Sequence, residues 1–171
     1  CGHFEMWSTI LLAIPFMLFL TVLQTAVLPR FPIFGIVPQL PFLLAVAWGL
    51  LRGPNEGALW GFMAGLTMDL FTIAPTVGLA LTYTISVAVV SFIINALPTN
   101  RIVMPMLMAA MGTLIQQILY YLFLQLFGYS LSVTVVASLL PSILLNAFLI
   151  LPFYWAMYVI NRTLWPKPVE L

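Results

Sequence analysis

Long uncharged stretches constrain this chain more than any other feature of its sequence. Its 171 residues carry only five basic and four acidic side chains, and no charged residue occurs between Arg101 and Arg162. About 20 apolar residues are enough for a helix to cross the hydrocarbon core of a bilayer. With 64% hydrophobic residues, the chain lies far outside the composition of soluble domains. We therefore expect an all-α polytopic membrane protein, with residues 1–171 forming a single integral membrane domain.

Prolines and capping residues divide the chain into six predicted transmembrane helices. Pro54 suits the first helical position, because the N–H that proline lacks is not needed there. The segment just before Pro54 is short for a crossing, so a re-entrant loop remains a second interpretation of it. The predicted spans cover approximately residues 6–28, 38–51, 54–71, 77–97, 102–127 and 133–159.

The basic residues predict the orientation of these six spans. Arg52, Arg101, Arg162 and Lys167 then fall on the side of both termini, whereas Arg30 falls on the opposite side. Cytoplasmic segments of membrane proteins carry the excess of lysine and arginine. We therefore predict that both termini are cytoplasmic.

Glycines at four-residue spacing distinguish the third span. Gly57, Gly61 and Gly65 lie along one helix face, where a neighbouring backbone can approach closely. Such a face can serve for packing inside the domain, which we favour, or for contact with a partner protein. Both interpretations of this glycine face are kept open.

Asp69 continues the glycine face and is a carboxylate inside a predicted span. A charged group there is costly unless it is paired, protonated or exposed to water. It can cap the next helix by accepting N–H bonds near Thr76 to Gly78. It can also contact a partner or ligand, and a pair with Arg30 is a further option.

Two polar stripes mark the fifth and sixth spans. Gln117 and Tyr121 are four residues apart in one span, and Ser138, Ser142 and Asn146 repeat the same spacing in the other. Polar side chains within membrane helices form hydrogen bonds between helices or line a polar cavity. The stripes are therefore candidates for either role.

Catalytic and metal-binding signatures are scarce in this sequence. His3 and Cys1 are its only histidine and its only cysteine, and both precede the first predicted span. A nucleophile–base pair or a histidine-rich metal site within the membrane therefore cannot form. We predict a non-enzymatic protein with no catalytic residue, cofactor or metal. The formal charge of +1 gives no reason to expect a nucleic-acid partner, which leaves the lipid bilayer and other proteins.

The central stretch carries a motif that is specific over residues 38–81. Residues 47–70 read AWGLLRGPNEGALWGFMAGLTMDL, and Pro75 and Gly78 follow. This stretch resembles the MreD family of bacterial rod shape-determining proteins. The preceding Pro38-Gln39-Leu40 is similar to the Pro-Asp-Leu that often opens the second span in that family, with Gln39 in place of aspartate.

The resemblance implies a scaffold subunit of the bacterial cell-elongation complex, the elongasome, which carries out peptidoglycan synthesis at the cytoplasmic (inner) membrane. The family associates with MreC, a single-pass membrane protein, and through it with MreB, RodA and the penicillin-binding partner of RodA. Its fold is similar to the six-helix substrate-binding (S) subunits of energy-coupling-factor transporters, so a vitamin-binding subunit is the alternative. The candidate packing or partner-binding residues are Arg52, Gly57, Gly61, Gly65, Asp69, Pro75 and Gly78.

Overall fold

The computed structural model describes residues 2–73, 77–98, 100–130 and 132–165, with side chains from residue 6 onward. The first helix continues beyond its α-helical part as a π-helical turn, Leu23–Val27, and a 3-10 turn, Leu28–Arg30. Helices make up most of the described part. The α-helices are α1 (Gly2–Val22), α2 (Leu40–Arg52), α3 (Pro54–Asp69), α4 (Gly78–Ile94), α5 (Val103–Leu126), α6 (Val133–Ala137) and α7 (Leu139–Leu164).

Within the described part of the chain, three helical segments are long and apolar enough to cross a membrane: Met6–Arg30, Val103–Leu126 and Val133–Leu164. Helices α2 and α4 are apolar but shorter. With 13 residues, α2 spans about 20 Å, less than the roughly 30 Å of a hydrocarbon core. The predicted all-α membrane fold is confirmed, and the count of six crossings stays a prediction.

The region of the sixth predicted span, 133–159, contains two helices that meet at Ser138. Pro141 explains the break, because its ring would clash with the carbonyl of Ala137 in a continuous helix. In the structure, Pro141 lies in the first turn of α7, where proline is tolerated. Pro152 is accommodated inside α7, which continues to Leu164.

Helix α2 is the centre of the bundle. All ten residues from Leu40 to Gly49 are buried, and α1, α3, α4, α5 and α7 pack around the helix. A helix that is buried on every side is surrounded by protein rather than by lipid. Because protein surrounds α2, its length does not need to match the thickness of a bilayer. A short helix is therefore compatible with this central position.

Helices α3 and α4 form the most closely packed pair. A Cβ atom built on Gly61 would lie 3.0 Å from the carbonyl oxygen of Tyr83 on α4. A Cβ atom on Gly65 would overlap the Cα atom of Ala80. The neighbour in both cases is backbone, which cannot move aside as a side chain can. Both glycines therefore allow α3 and α4 to approach each other.

A second close approach joins α3 to the central helix. A Cβ atom on Gly57 would lie 2.7 Å from the Cα atom of Gly49 on α2, and 2.9 Å from the hydroxyl of Ser91 on α4. Three helices therefore meet at this point with little space between their backbones. The glycine face of α3 is occupied by helices of the same chain.

Gly65→Ala is expected to lower the thermal stability of the isolated protein in detergent, and Gly112→Ala is expected to keep or raise it. Where no neighbour is in the way, replacing a helical glycine by alanine stabilises the folded protein by about 0.4–1 kcal/mol. At Gly65 the new methyl group overlaps α4, and such overpacking costs about 1–3 kcal/mol. At Gly112 the nearest atom would be in the Phe42 ring at 3.4 Å, an ordinary contact. A Gly65→Ala protein as stable as its parent would contradict the close packing.

Candidate functional site

The N-terminal end of α2 lies inside the bundle, and side-chain amides from the turn after α1 and from α7 supply its hydrogen-bond acceptors. The backbone N–H of Leu40 donates to Oε1 of Gln24 at 2.8 Å, and that of Gln39 donates to Oδ1 of Asn146 at 3.4 Å. The first N–H groups of a helix have no acceptor within the helix, and they need one where water is excluded. Gln24 lies in the π-helical turn that follows α1, a rare turn often found at functional sites.

Further hydrogen bonds connect these amides to α5. The Nε2 atom of Gln39 donates to Oε1 of Gln116 at 3.2 Å. The Nδ2 atom of Asn146 donates to the hydroxyl of Thr113 at 3.2 Å. We call Gln24, Gln39, Thr113, Gln116 and Asn146 the polar cluster. The polar cluster joins four helical segments at one level of the bundle, and four of its members are buried.

The structure separates the residues of the two predicted polar stripes. Asn146 belongs to the polar cluster, whereas Gln117 is buried and its Oε1 has no hydrogen-bond partner among the described residues. Tyr121, Ser138 and Ser142 are only partly buried. None of the five lines the cleft between the segment just before α5 and the C-terminal half of α7, or the cleft between the first half of α7 and the connector before α2. A cavity at the stripes stays a prediction.

Asp69 is buried at the end of α3 and caps α4. Its Oδ1 accepts the backbone N–H of Leu79 at 3.1 Å, and its Oδ2 accepts that of Ala80 at 2.9 Å. Both donors lie in the first turn of α4, where free N–H groups and the helix dipole favour a carboxylate. Both oxygens of Asp69 are therefore used within the chain.

The sequence places the donors to Asp69 slightly too early, near Thr76 to Gly78. Helix α4 begins at Gly78, and its free N–H groups follow that residue. Gly78 itself lies against α5, since a Cβ atom there would be 2.6 Å from the ring of Phe123. Pro75 lies outside the described residues. Arg30, the other option for pairing, is exposed.

Arg52 belongs to a cluster of charged and aromatic side chains at the other end of α2. Its guanidinium nitrogen lies 3.0 Å from Oε1 of Glu56, and its guanidinium carbon lies 5.1 Å from the ring centre of Trp165. The indole N–H of Trp48 donates to Oε2 of Glu56 at 3.0 Å. This cluster connects the turn between α2 and α3 to the end of α7, where Arg162 also lies.

Of the polar cluster, the sequence pattern predicts only Asn146 as a site residue. Gln24, Gln39 and Gln116 come from separate helical segments, and the periodicity of a single helix does not show which polar residues meet. One signal was available, because Gln39 stands where a helix begins in apolar surroundings and acceptors are needed.

The chemistry available at these sites is hydrogen bonding. Amides, hydroxyls and one carboxylate hold helix ends and helix faces in fixed positions, which is how polar groups commonly join membrane helices. Among the residues whose placement is described, no three His, Cys, Asp or Glu side chains come together as a metal site would require. The arrangement is therefore one that fixes helices relative to one another.

Comparison with known proteins extends over nearly the whole chain. A family model described as rod shape-determining protein MreD matches residues 5–164. The matched range ends at the last residue of α7 and includes the polar cluster, the α3–α4 pair and Asp69. No curated protein and no solved structure matches the chain.

Asp69→Asn is expected to lower the free energy of unfolding of the isolated protein in detergent by about 1–3 kcal/mol. Each carboxylate oxygen accepts one backbone N–H, so the amide NH2 of asparagine would face a donor and leave it unpaired. Unfolding of the purified parent and variant in the same detergent measures the difference. Unchanged stability combined with loss of a partner protein would instead identify Asp69 as an intermolecular contact.

Proposed function

This chain belongs to the MreD family of rod shape-determining membrane proteins, and on this premise we propose that it is a non-enzymatic scaffold subunit of the bacterial cell-elongation complex. The observation that carries the proposal is the family match over residues 5–164. The central motif supports a scaffold role, because Gly61, Gly65 and Asp69 hold α3 against α4. Motif residues that build the fold leave the outer helix faces for partners.

The direct partner in this proposal is MreC, and through it the subunit joins RodA, the penicillin-binding partner of RodA, and MreB. A single-pass protein offers one apolar helix, and membrane helices associate by close packing of complementary faces. The outer face of α1 is apolar and open to such a contact, with Leu11 70% exposed and Phe19 65% exposed. In this proposal the chain contributes to peptidoglycan synthesis by assembling the complex, and it catalyses no reaction itself.

The proposal includes six crossings of the inner membrane with both termini cytoplasmic, in an arrangement similar to that of energy-coupling-factor S subunits. Arg52 contacts Trp165, and the guanidinium of Arg101 lies 5.9 Å from the ring centre of Tyr158. Both contacts are with the C-terminal part of the chain, so these arginines and Arg162 gather at one end of the bundle. That gathering supports a cytoplasmic end there. Lys167 lies outside the described residues.

Co-purification tests the partnership. The tagged chain, extracted from bacterial membranes in a mild detergent, is expected to recover MreC and to restore rod shape in cells depleted of their own MreD. An unrelated tagged membrane protein of similar size is the control for non-specific recovery. Recovery of a bound vitamin without MreC, in cells that stay round, would contradict the scaffold role and favour the transporter subunit.

Cysteine labelling tests the orientation. In a Cys1→Ser background, Asn100→Cys is expected to be shielded from a membrane-impermeant thiol reagent in intact cells, whereas Tyr129→Cys is expected to react. Both positions are exposed and lie between helices, and the proposed topology puts them on opposite sides of the membrane. After lysis, both cysteines should react, which controls for accessibility. Labelling of Asn100→Cys before lysis would exclude the proposed orientation.

A further inference from the structure

A cleft of about 410 Å³ lies between the start of α5 and the C-terminal half of α7. It is separate from the polar cluster and from the α3–α4 pair. Its volume falls within the range of about 300–1,000 Å³ that is usual for small-molecule sites. The lining residues are Arg101, Ile102, Leu151, Tyr154, Trp155 and Tyr158.

Arg101 supplies a cation at one edge of the cleft. It is exposed, and its guanidinium carbon lies 5.9 Å from the ring centre of Tyr158. The carboxylates whose side chains are described are engaged elsewhere, Glu56 with Arg52 and Asp69 with the start of α4. The guanidinium therefore keeps donors that can bind an anion.

Two tyrosines stand beside this cation. Tyr154 and Tyr158 are four residues apart on α7, so they share one helix face. Within the described part of the chain, neither hydroxyl makes a hydrogen bond. Trp155 is 70% exposed next to them. Tryptophan and tyrosine concentrate at the boundary between lipid and water, which is where lipid headgroups lie.

The cleft becomes apolar away from this edge. Leu151 precedes Tyr158 by seven residues on α7, which places it about 10 Å deeper along the helix. Ile102, which is 62% exposed, supplies apolar surface on the α5 side. A cation and two hydroxyls toward one end, Leu151 deeper along α7 and Ile102 on the α5 side match the polarity of a phospholipid, whose charged headgroup carries acyl chains.

We propose that this cleft binds an anionic phospholipid. The lipid phosphate accepts hydrogen bonds from Arg101 and from the hydroxyls of Tyr154 and Tyr158, and an acyl chain lies against Leu151 and Ile102. Anionic lipids are attracted to basic residues at the membrane surface. The lipid would thereby hold the start of α5 against α7 at the end of the bundle where the arginines gather.

Native mass spectrometry of the purified protein tests the site directly. Phosphatidylglycerol and phosphatidylethanolamine with identical acyl chains are added at equal concentration, and the retained lipid is counted. The parent is expected to retain phosphatidylglycerol in preference. Arg101→Gln is expected to lower its affinity about tenfold, since a hydrogen bond to a charged group is lost. Arg30→Gln, which removes an exposed cation that does not line the cleft, is expected to leave this affinity unchanged.

A second pair of variants fills the cleft without removing a charge. Ile102→Trp should obstruct the acyl-chain part and reduce retained phosphatidylglycerol, whereas Val103→Trp, at an exposed neighbour that does not line the cleft, should not. Equal retention of the two lipids by the parent would overturn the proposal. Parent-like phosphatidylglycerol binding in both Arg101→Gln and Ile102→Trp would overturn it as well.

Discussion

Backbone N–H groups that lie away from water must find acceptors, and the start of α2 is where this chain meets that requirement inside its core. Gln24 and Asn146 accept hydrogen bonds from Leu40 and Gln39. These acceptors belong to segments near the two ends of the chain, so satisfying α2 also fixes how α1 and α7 pack around it. An unsatisfied N–H there would cost about as much as a lost hydrogen bond. The position of the central helix therefore depends on its amide neighbours.

Close backbone contact and end capping hold the other inner helices. Gly65 allows α4 to approach α3, and Asp69 then accepts the first free N–H groups of α4. In lipid there is no hydrophobic driving force that brings apolar side chains together. Close van der Waals packing and hydrogen bonds between helices therefore contribute more of the stability than in a soluble protein. With these contacts made inside the chain, the outer faces of α1 and α7 stay apolar and available. This division suits a subunit that assembles with other membrane proteins.

The class of the protein and its family could be predicted from the sequence, because scarce charges and a specific central motif are local signals. The central position of α2 could not be predicted from the sequence, because an apolar helix has the same hydropathy whether protein or lipid surrounds it. Pro141 explains the break at Ser138, whereas Pro152 is tolerated inside α7. The sequence alone does not show which of the two prolines interrupts the helix. The members of the polar cluster lie up to 122 residues apart, from Gln24 to Asn146, and only the packing of helices brings them together.

The role of the amide acceptors is tested most directly by the free energy of unfolding of Gln24→Met in detergent, compared with Gln117→Met. Methionine is close to glutamine in length but offers no comparable acceptor. Both glutamines are buried, yet only Gln24 accepts an N–H from α2, while Oε1 of Gln117 is unpaired among the described residues. A loss of about 1–3 kcal/mol in Gln24→Met is expected, with little change in Gln117→Met. Equal effects of the two substitutions would contradict the dependence of the fold on the capped start of α2.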